Sequence, residues 1–349
     1  MEVKILDCGT KVQEPKISPN EFREWVRNNK PRAMEDKTMG AKTAVKRLMK
    51  NGDIIAMSGC NTVRFPSAIL HEVLRQDLRD LYVAGGNCSC ADLLIDNHRL
   101  SHIDSGYFLG LEVLGIPRMS RKIVEQAITK GELTITEWDN ASMAWRHKAA
   151  GMGIPFIPVR HMMGGDGFKY SGAVKVQCPF TKEEVVLVPA LFLDVALVHV
   201  HESDIYGNAR ITSGVVAEDW GKVRGAKRVI LSTESIVETE EIRKQPGRTF
   251  VPYFYVDAVV EVPYGAHPGN MPGRYYTDME HFAEYKNASQ DETGETLRQY
   301  YEKYVFSVDS HQEYLEKIGG EKKLKYLEDL EFLRVTPSRA NRRVKNAPH

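Results

Sequence analysis

The chain has 349 residues, of which 42% are hydrophobic and 27% are charged, as is usual for a globular protein. Lysine plus arginine and aspartate plus glutamate each number 47, so the composition does not favour nucleic acid or another polyanion as a partner. The five cysteines are irregularly spaced, which argues against a disulfide framework, and no apolar run is long enough to span a membrane. We therefore expect a cytoplasmic protein that binds neither nucleic acid nor membrane.

Three segments are predicted from changes of pattern along the chain. Residues 1–41 are polar, contain three prolines and lack clear periodicity, so they are expected to form an N-terminal extension. Residues 42–320 alternate between helix and strand patterns and are predicted to form one α/β domain. Residues 321–349 are predicted to form a C-terminal helix and a basic tail.

The predicted elements alternate regularly between helices and strands. In chain order they are a helix over 44–49, a strand over 53–57, a helix over 65–76, a strand over 80–84, a helix over 91–96, a strand over 101–108, a helix over 120–130, a strand over 133–138, a helix capped by Asp139 and running to 150, and a strand over 156–159. An antiparallel hairpin (173–176 and 184–188), strands over 194–201, 228–232 and 256–262, and helices over 295–304, 310–317 and 324–333 follow. This series predicts an open, mostly parallel α/β sheet with helices on both faces, an antiparallel hairpin insertion and C-terminal helices.

Four of the predicted strands end in small or glycine-rich turns. These turns are Ser58-Gly59, Gly85-Gly86-Asn87, Gly106 and Gly164-Gly165. In open α/β sheets, ligands bind beyond the carboxyl ends of the strands, where glycine lets them approach backbone N–H groups. Glycine also serves tight turns for steric reasons alone, so a single turn would favour the structural interpretation. Four such turns together predict a polar ligand cleft.

Common cofactor signatures are absent from the sequence. It contains no G-x-G-x-x-G after the first strand, no G-x-x-x-x-G-K-[ST], no H-E-x-x-H and no G-x-S-x-G. These absences argue against dehydrogenase, ATPase, zinc-protease and α/β-hydrolase functions. Cys88 and Cys90 are too closely spaced for a usual zinc site, so no metal is expected.

Two features could carry acid–base chemistry. His199 and His201 lie on one face of a predicted strand that ends in Glu202, but histidines packed near a strand end are the commoner arrangement. Glu112 lies among apolar residues, which would raise its pKa if it were buried, so it is the best single carboxylate for acid–base work. The alternative for Glu112 is a carboxylate at the rim of the site.

The run Val-Asp-Ala-Val-Val-Glu-Val-Pro-Tyr-Gly-Ala-His-Pro over 256–268 resembles the A subunits of glutaconate-type family I CoA-transferases. The similarity covers about residues 42 to 320. It also includes Arg64-Phe65-Pro66, the G-x-P-F-x-P pattern over 153–158, residues 204–208, residues 240–243, Tyr275-Tyr276 and parts of 300–319. The resemblance implies the CoA-transferase fold and a CoA thioester as substrate, with no tightly bound cofactor.

The resemblance also implies a partner chain. Enzymes of this family pass the acyl group through a glutamate that, in the glutaconate type, lies on a B subunit in a heterodimer or heterotetramer. No residue here matches the motif around that glutamate, so the nucleophile is expected on the partner. By resemblance, this chain would contribute Arg64 and the turns Ser58-Gly59-Cys60, Gly85-Gly86-Asn87 and Gly164-Gly165 to the acyl pocket, where backbone N–H groups could hold a developing oxyanion.

One position departs from the family pattern. Near the start of the helix before G-x-P, these transferases tend to carry glutamine, and this chain has Asn140. Relatives with a carboxylate there resemble hydrolases that open a carbon ring in a CoA thioester, so an amide favours transfer. Asparagine at a helix start is equally a common N-cap. The leading hypothesis is the A subunit of a transferase; the alternatives are a non-catalytic scaffold and a subunit of such a hydrolase.

Overall fold

The computed structural model describes residues 3–11, 17–85, 91–107, 117–214 and 217–336. Gly86, Asn87, Glu112, the Cys88–Cys90 pair and the end of the basic tail lie outside the described residues. In chain order the strands are β1 (Ile5–Cys8), β2 (Ile54–Met57), β3 (Leu81–Gly85), β4 (Leu100–Ser105), β5 (Thr134–Glu137), β6 (Phe156–Val159), β7 (Val174–Gln177), β8 (Glu184–Pro189), β9 (Leu193–Ser203), β10 (Ala209–Arg210), β11 (Ala226–Ile236), β12 (Thr249–Val251) and β13 (Ala258–Glu261).

The helices are distributed along the whole chain. They are α1 (Pro19–Asn29), α2 (Ala41–Leu48), α3 (Ser67–Arg75), α4 (Ala91–Asp96), α5 (Arg118–Thr129), α6 (Asn140–Met152), α7 (Ala217–Arg224), α8 (Thr239–Lys244), α9 (Met279–Ala288), α10 (Glu295–Tyr301), α11 (His311–Lys317) and α12 (Gly320–Glu331). In the described ranges, no helix is both long and apolar enough to cross a membrane.

Within the described ranges the main sheet has nine strands, seven of which form a parallel array in the order β13-β11-β9-β2-β3-β4-β5. Beyond the point where β2 leaves the side of β9, β10 pairs antiparallel with β9, and β12 pairs antiparallel with β10. Because the other strands all run in one direction, their carboxyl ends lie at the same edge of the sheet. The predicted parallel α/β sheet is confirmed.

Both faces of the main sheet are covered. Along β2, Ile55 and Met57 belong to an apolar core formed with α3, α4 and the C-terminal helices, whereas Ile54 and Ala56 belong to a second core formed with α6 and α7. The alternation follows from the two-residue period of a strand. The predicted placement of helices on both faces is therefore correct.

A second, four-stranded sheet has the order β1-β7-β8-β6 and is antiparallel throughout. The pair β7–β8 is the hairpin that the sequence predicts. The sequence prediction was wrong for β6, which was included in the parallel series but pairs with β8 through Val159 and Val186. Pro158 is compatible with this position, because a residue without an N–H group suits the edge of a sheet, where β6 lies.

The N-terminal segment contains regular structure that its composition did not indicate. Ser18 and Glu21 form a reciprocal capping box at the start of α1, with distances of 3.2 Å and 2.7 Å. This S-x-x-E pattern was a signal for a helix that the sequence analysis overlooked. The ring of Phe22 packs 4.7 Å from that of Phe192, and Thr38 pairs with Val259 of β13. The segment thereby fastens onto the main domain and covers one edge of its sheet.

Asp96 is a buried carboxyl group between α4 and the C-terminal helices. Its Oδ2 accepts hydrogen bonds from the hydroxyl groups of Tyr285 and Tyr301, at 2.8 Å and 2.7 Å. Burial raises the pKa of Asp96 to about 6, and the hydroxyl groups around it only partly oppose that rise. Since the unfolded chain titrates at a lower pH, the folded protein holds the extra proton between about pH 4 and pH 6. Stability therefore falls as pH rises through this window and is level above it.

We expect the substitution Asp96→Asn to stabilise the protein at pH 8, because the amide cannot ionise. The rise of about two units in the pKa of Asp96 corresponds to a cost of roughly 3 kcal/mol for burying the ionised group. We expect the amide to recover most of this cost, so the free energy of unfolding should rise by about 2 kcal/mol at pH 8, and the gain should shrink towards zero near pH 4. Urea unfolding at pH 5 and pH 8 measures the difference, with Asp309→Asn on the surface as the matched control. A gain that is the same at both pH values would contradict the explanation.

Candidate active site

The carboxyl edge of four adjacent parallel strands brings several predicted site residues together. Ser58 follows β2, Gly85 ends β3, Gly106 follows β4, and Asn140 lies just beyond β5. Neighbouring strands are about 4.8 Å apart, so the ends of β2 and β5 are separated by about 14 Å. The edge is therefore wide enough for an extended acyl group.

The turn after β2 is fixed from within the protein. The Ser58 hydroxyl donates to the carbonyl oxygen of Arg64 at 3.1 Å and accepts from the N–H of His199 at 2.9 Å. Gly59 has φ +84°, and a Cβ at this position would lie 1.9 Å from the carbonyl oxygen of Val63. Only glycine fits there, both for its backbone conformation and for space.

A fully buried ion pair holds this turn in place. Arg64 Nη2 lies 2.7 Å from Asp219 Oδ2, and neither side chain is exposed to solvent. Asp219 Oδ1 also accepts the N–H of Gly59, at 3.1 Å. Ser58, Gly59 and Arg64 thus direct their polar groups into the protein. Among the predicted substrate-binding residues, these three are arranged to position the turn, while the neighbouring Cys60 is half-buried.

Two charges from α7 complete this buried group. Lys222 Nζ donates to the carbonyl oxygen of Met57 at 2.9 Å and lies 2.8 Å from Glu218 and 4.0 Å from Asp219. With Arg64, the group contains two cations and two carboxylates. It is therefore electrically balanced in a setting where an uncompensated charge would be costly.

The opposite wall of the edge is formed by the turn after β4 and the start of α6. A Cβ on Gly106 would lie 2.7 Å from Asn140 Oδ1, so glycine is needed for this close approach. Asp139 is the N-cap of α6 and accepts the N–H of Ser142 at 2.6 Å, which confirms its predicted role. Asn140 is the first residue inside the helix, so the alternative that it serves as the N-cap is wrong. Its side chain is exposed at the edge.

The loop after β6 is attached to this second wall. His161 Nδ1 lies 3.1 Å from Asp139 Oδ2 and 3.1 Å from Ser142 Oγ. Gly164 and Gly165 follow in the same loop, and both are exposed with open space where a side chain would be. The loop that carries these two predicted glycines is therefore tied through His161 to the start of α6, next to Asn140.

The two strand histidines are structural. His199 contacts Ser232 Oγ at 2.9 Å and Glu234 at 2.7 Å, and His201 contacts the carbonyl oxygen of Pro272 at 2.9 Å. Burial lowers the pKa of His201 to about 4, so this ring is neutral at neutral pH. Among the described residues, no three potential ligands lie close enough together to hold a metal ion.

The run over 256–268, which carried the family resemblance, is part of the scaffold. Glu234 accepts hydrogen bonds from Tyr264 N at 2.8 Å and from the Tyr275 hydroxyl at 2.6 Å. Burial by itself would raise the pKa of Glu234, but the hydrogen bonds, above all that from His199, hold it below its ordinary value. His267 contacts Tyr314 at 2.6 Å. These buried hydrogen bonds give the distinctive residues of the run a structural role, which does not require them to contact a substrate.

A cavity of about 600 Å³ lies elsewhere, between α11, α12 and the Pro263-Tyr264 corner. It touches none of the glycine turns. Among the described residues, the predicted site residues lie instead along the carboxyl edge of the parallel strands, where Gly106, Asn140, Gly164 and Gly165 are exposed.

Comparison with known proteins agrees with this geometry. A family model described as coenzyme A transferase matches residues 38–262, which is well over half of the chain. The chain belongs to the coenzyme A transferase family. The predicted family and fold are therefore confirmed.

Three relatives in the family illustrate its range. An uncharacterized protein of Archaeoglobus fulgidus is 45% identical over 96% of this chain and 74% of its own length. The A subunit of glutaconate CoA-transferase from Acidaminococcus fermentans is 33% identical over 81% of this chain and 92% of its own length. The crystal structure of the latter enzyme matches 86% of this chain and 96% of its own at 31% identity, with a TM-score of 0.78. The cholesterol ring-cleaving hydrolase IpdA subunit of Rhodococcus jostii is 31% identical over 71% of this chain and 86% of its own length.

Sequence reasoning missed two residues that shape this family member's site. Asp219 carries no local signal, since it is one of two acids on α7 and its partner is 155 positions away. His161 could have been noticed, because it lies between a predicted strand and the predicted Gly164-Gly165 turn.

We expect Asp219→Ala to lower the free energy of unfolding by about 3–5 kcal/mol, because it leaves the buried Arg64 guanidinium without its counter-charge. Urea unfolding measures the change. The control is Glu125→Ala, which removes an exposed ion pair with Arg121 (2.7 Å) and should cost less than about 1 kcal/mol. An Asp219→Ala protein as stable as the wild type would show that the ion pair does not hold the turn.

Proposed function

We propose that this chain is the A subunit of a hetero-oligomeric CoA-transferase that moves coenzyme A between small carboxylic acids. The observation that carries the proposal is the exposure of Gly106, Asn140, Gly164 and Gly165, with Gly106 and Asn140 at the carboxyl edge of the parallel strands. The similarity to the glutaconate CoA-transferase relative, which extends over 92% of that relative's length, supports the same function. A B subunit would cover the edge and complete the site.

The reaction proposed for the complete site is a ping-pong exchange. A glutamate that the B subunit provides attacks the acyl-CoA carbonyl, which gives a mixed anhydride and releases the CoA thiolate. The thiolate then attacks the glutamyl carbonyl, which frees the first carboxylate and leaves a glutamyl-CoA thioester. An incoming carboxylate reverses both steps, so that the glutamate is regenerated and a new acyl-CoA leaves.

This chain would contribute shape and hydrogen bonds to the exchange. The buried Arg64–Asp219 pair engages the Gly59 N–H at 3.1 Å, so that group is not a donor for the developing oxyanion. We assign Gly59, Ser58 and Arg64 to positioning. We assign contact with the acyl group to the exposed Asn140 and to the turns at Gly106 and Gly164-Gly165. Gly85 lies at the end of β3 between these two groups.

The purified single chain is expected to exchange no CoA, whereas its complex with a B subunit is active. CoA exchange between acetyl-CoA and a panel of carboxylic acids measures the difference, with thioester hydrolysis followed in parallel. Replacement of the B-subunit glutamate by alanine should abolish exchange. Robust turnover by the single chain would overturn the assignment of the nucleophile and make Glu112 the first residue to test.

The same assay distinguishes the alternatives. Hydrolysis without exchange would identify a thioester hydrolase, the kind of activity named for the Rhodococcus relative. Activity that survives replacement of both Asn140 and the exposed glycines would leave only a scaffolding role for this chain.

We expect Asn140→Ala to lower kcat/KM for exchange about tenfold, the usual cost of one hydrogen bond to a polar partner. Asn140→Gln keeps the amide and should remain within about threefold of the wild type. Steady-state kinetics of the complex measures both, with Asn287→Ala on the exposed face of α9 as the control. Unchanged kinetics in Asn140→Ala would remove this residue from the site.

A further inference from the structure

One ring nitrogen of His161 forms its hydrogen bonds within the protein. Nδ1 lies 3.1 Å from Asp139 Oδ2 and 3.1 Å from Ser142 Oγ. The Ser142 hydroxyl itself donates to Met162 Sδ at 2.7 Å, so its oxygen is left to accept from His161. Both partners of Nδ1 are therefore acceptors.

These partners define the protonation of the ring. A carboxylate can only accept a hydrogen bond, so Nδ1 of His161 must carry a hydrogen. In the neutral ring, Nε2 then holds the lone pair, and in the imidazolium it carries a second N–H. Asp139 favours the presence of this Nδ1–H in both forms and fixes the plane of the ring.

The other ring nitrogen is buried without a partner among the residues that the structure describes. Nε2 of His161 makes no hydrogen bond, although the ring as a whole is 30% exposed. A buried polar atom left unsatisfied destabilises the folded state, and native proteins seldom retain one without a functional reason. Nε2 itself is closed to solvent, so the exposed part of the side chain lies at other atoms, and a ligand that binds Nε2 must displace a neighbouring group to reach it.

The location of His161 suggests what that ligand is. The residue begins the loop that carries Gly164 and Gly165, and its anchor Asp139 immediately precedes Asn140. The side chain therefore lies with the wall that is assigned to the acyl group. The charges nearest along the loop, Arg160 and Asp166, are paired on the surface with Glu183 at 3.9 Å and Lys169 at 3.0 Å.

We propose that His161, oriented by Asp139, uses Nε2 to bind an oxygen function on the acyl chain of the substrate, a hydroxyl or a second carboxyl group. This inference rests on the proposed CoA-transferase function. A hydroxyl group donates to the neutral ring, and a carboxylate accepts from the imidazolium. In either case the histidine selects polar acyl groups over plain fatty acyl groups of the same length.

Two substitutions separate binding by Nε2 from support of the loop by Nδ1. In His161→Asn, the amide NH₂ can replace Nδ1–H towards Asp139 and Ser142, but nothing replaces Nε2. In His161→Gln, the longer amide reaches the place of Nε2, but the bonds of Nδ1 are lost. The matched control is His98→Asn, because His98 is exposed at the opposite edge of the sheet with φ +54°, a conformation that asparagine accepts.

The kinetic test compares glutarate, 3-hydroxybutyrate and butyrate as CoA acceptors for the complex of this chain with its B subunit. His161→Asn is expected to lower kcat/KM for whichever of the first two acids the wild type prefers by about ten- to a hundredfold, and for butyrate by less than about threefold. His98→Asn should leave all three unchanged. If His161→Asn behaves like the wild type while His161→Gln loses activity with all acids equally, the histidine only supports the loop and the proposal fails.

Calorimetric titration of the three free acids into the complex tests binding independently of turnover. The wild type should bind a hydroxy acid or a dicarboxylate at least tenfold more tightly than butyrate, and His161→Asn should remove that preference. If exchange is absent but this result is obtained, the selectivity of His161 stands and the transferase function falls. If the wild type binds butyrate equally well, the selectivity is refuted even in an active transferase.

Discussion

The arrangement of the site depends on two opposite charges that are completely removed from water. Arg64 and Asp219 come from distant parts of the chain, and neither is tolerated in that environment without the other. Their pairing forces the loop after β2 to return towards α7, and the second oxygen of the carboxylate then captures the backbone of Gly59. The geometry of the turn after β2, which forms the first wall of the site, follows from this requirement for neutralisation.

The second wall is held by a different kind of contact, but the two walls are not independent. Helix α6, which begins at Asn140, packs directly on α7, which carries Asp219. A Cβ on Gly221 would lie 2.4 Å from the backbone of His147, so the two helices meet backbone to backbone. The contact between α6 and α7, below the surface, therefore sets the distance between the two walls of the site. The loops at the surface need not determine that distance.

Sequence patterns predicted those features that short-range chemistry determines. The parallel series, the β7–β8 hairpin and the Asp139 cap all follow from periodicity or from local hydrogen bonding, and the 256–268 run led to the correct family. The placement of β6 could not be predicted, because the choice between two sheets depends on which edge is free. The inward orientation of Ser58 and Arg64 was equally hidden, since it depends on Asp219, a residue 155 positions away from Arg64. The helix α1 was predictable from its capping box and was overlooked.

The two carboxylate oxygens of Asp139 have different partners. One oxygen caps α6, and the other accepts a hydrogen bond from His161. Serine or threonine at this position would still start the helix, but they lack the second carboxylate oxygen that faces His161. Such a substitution of Asp139 would thus free the His161 side chain, while helix α6 would still form. Under the proposed role of His161, a substitution at Asp139 would change which acids this chain accepts, while the residues that hold the sheet edge together remain untouched.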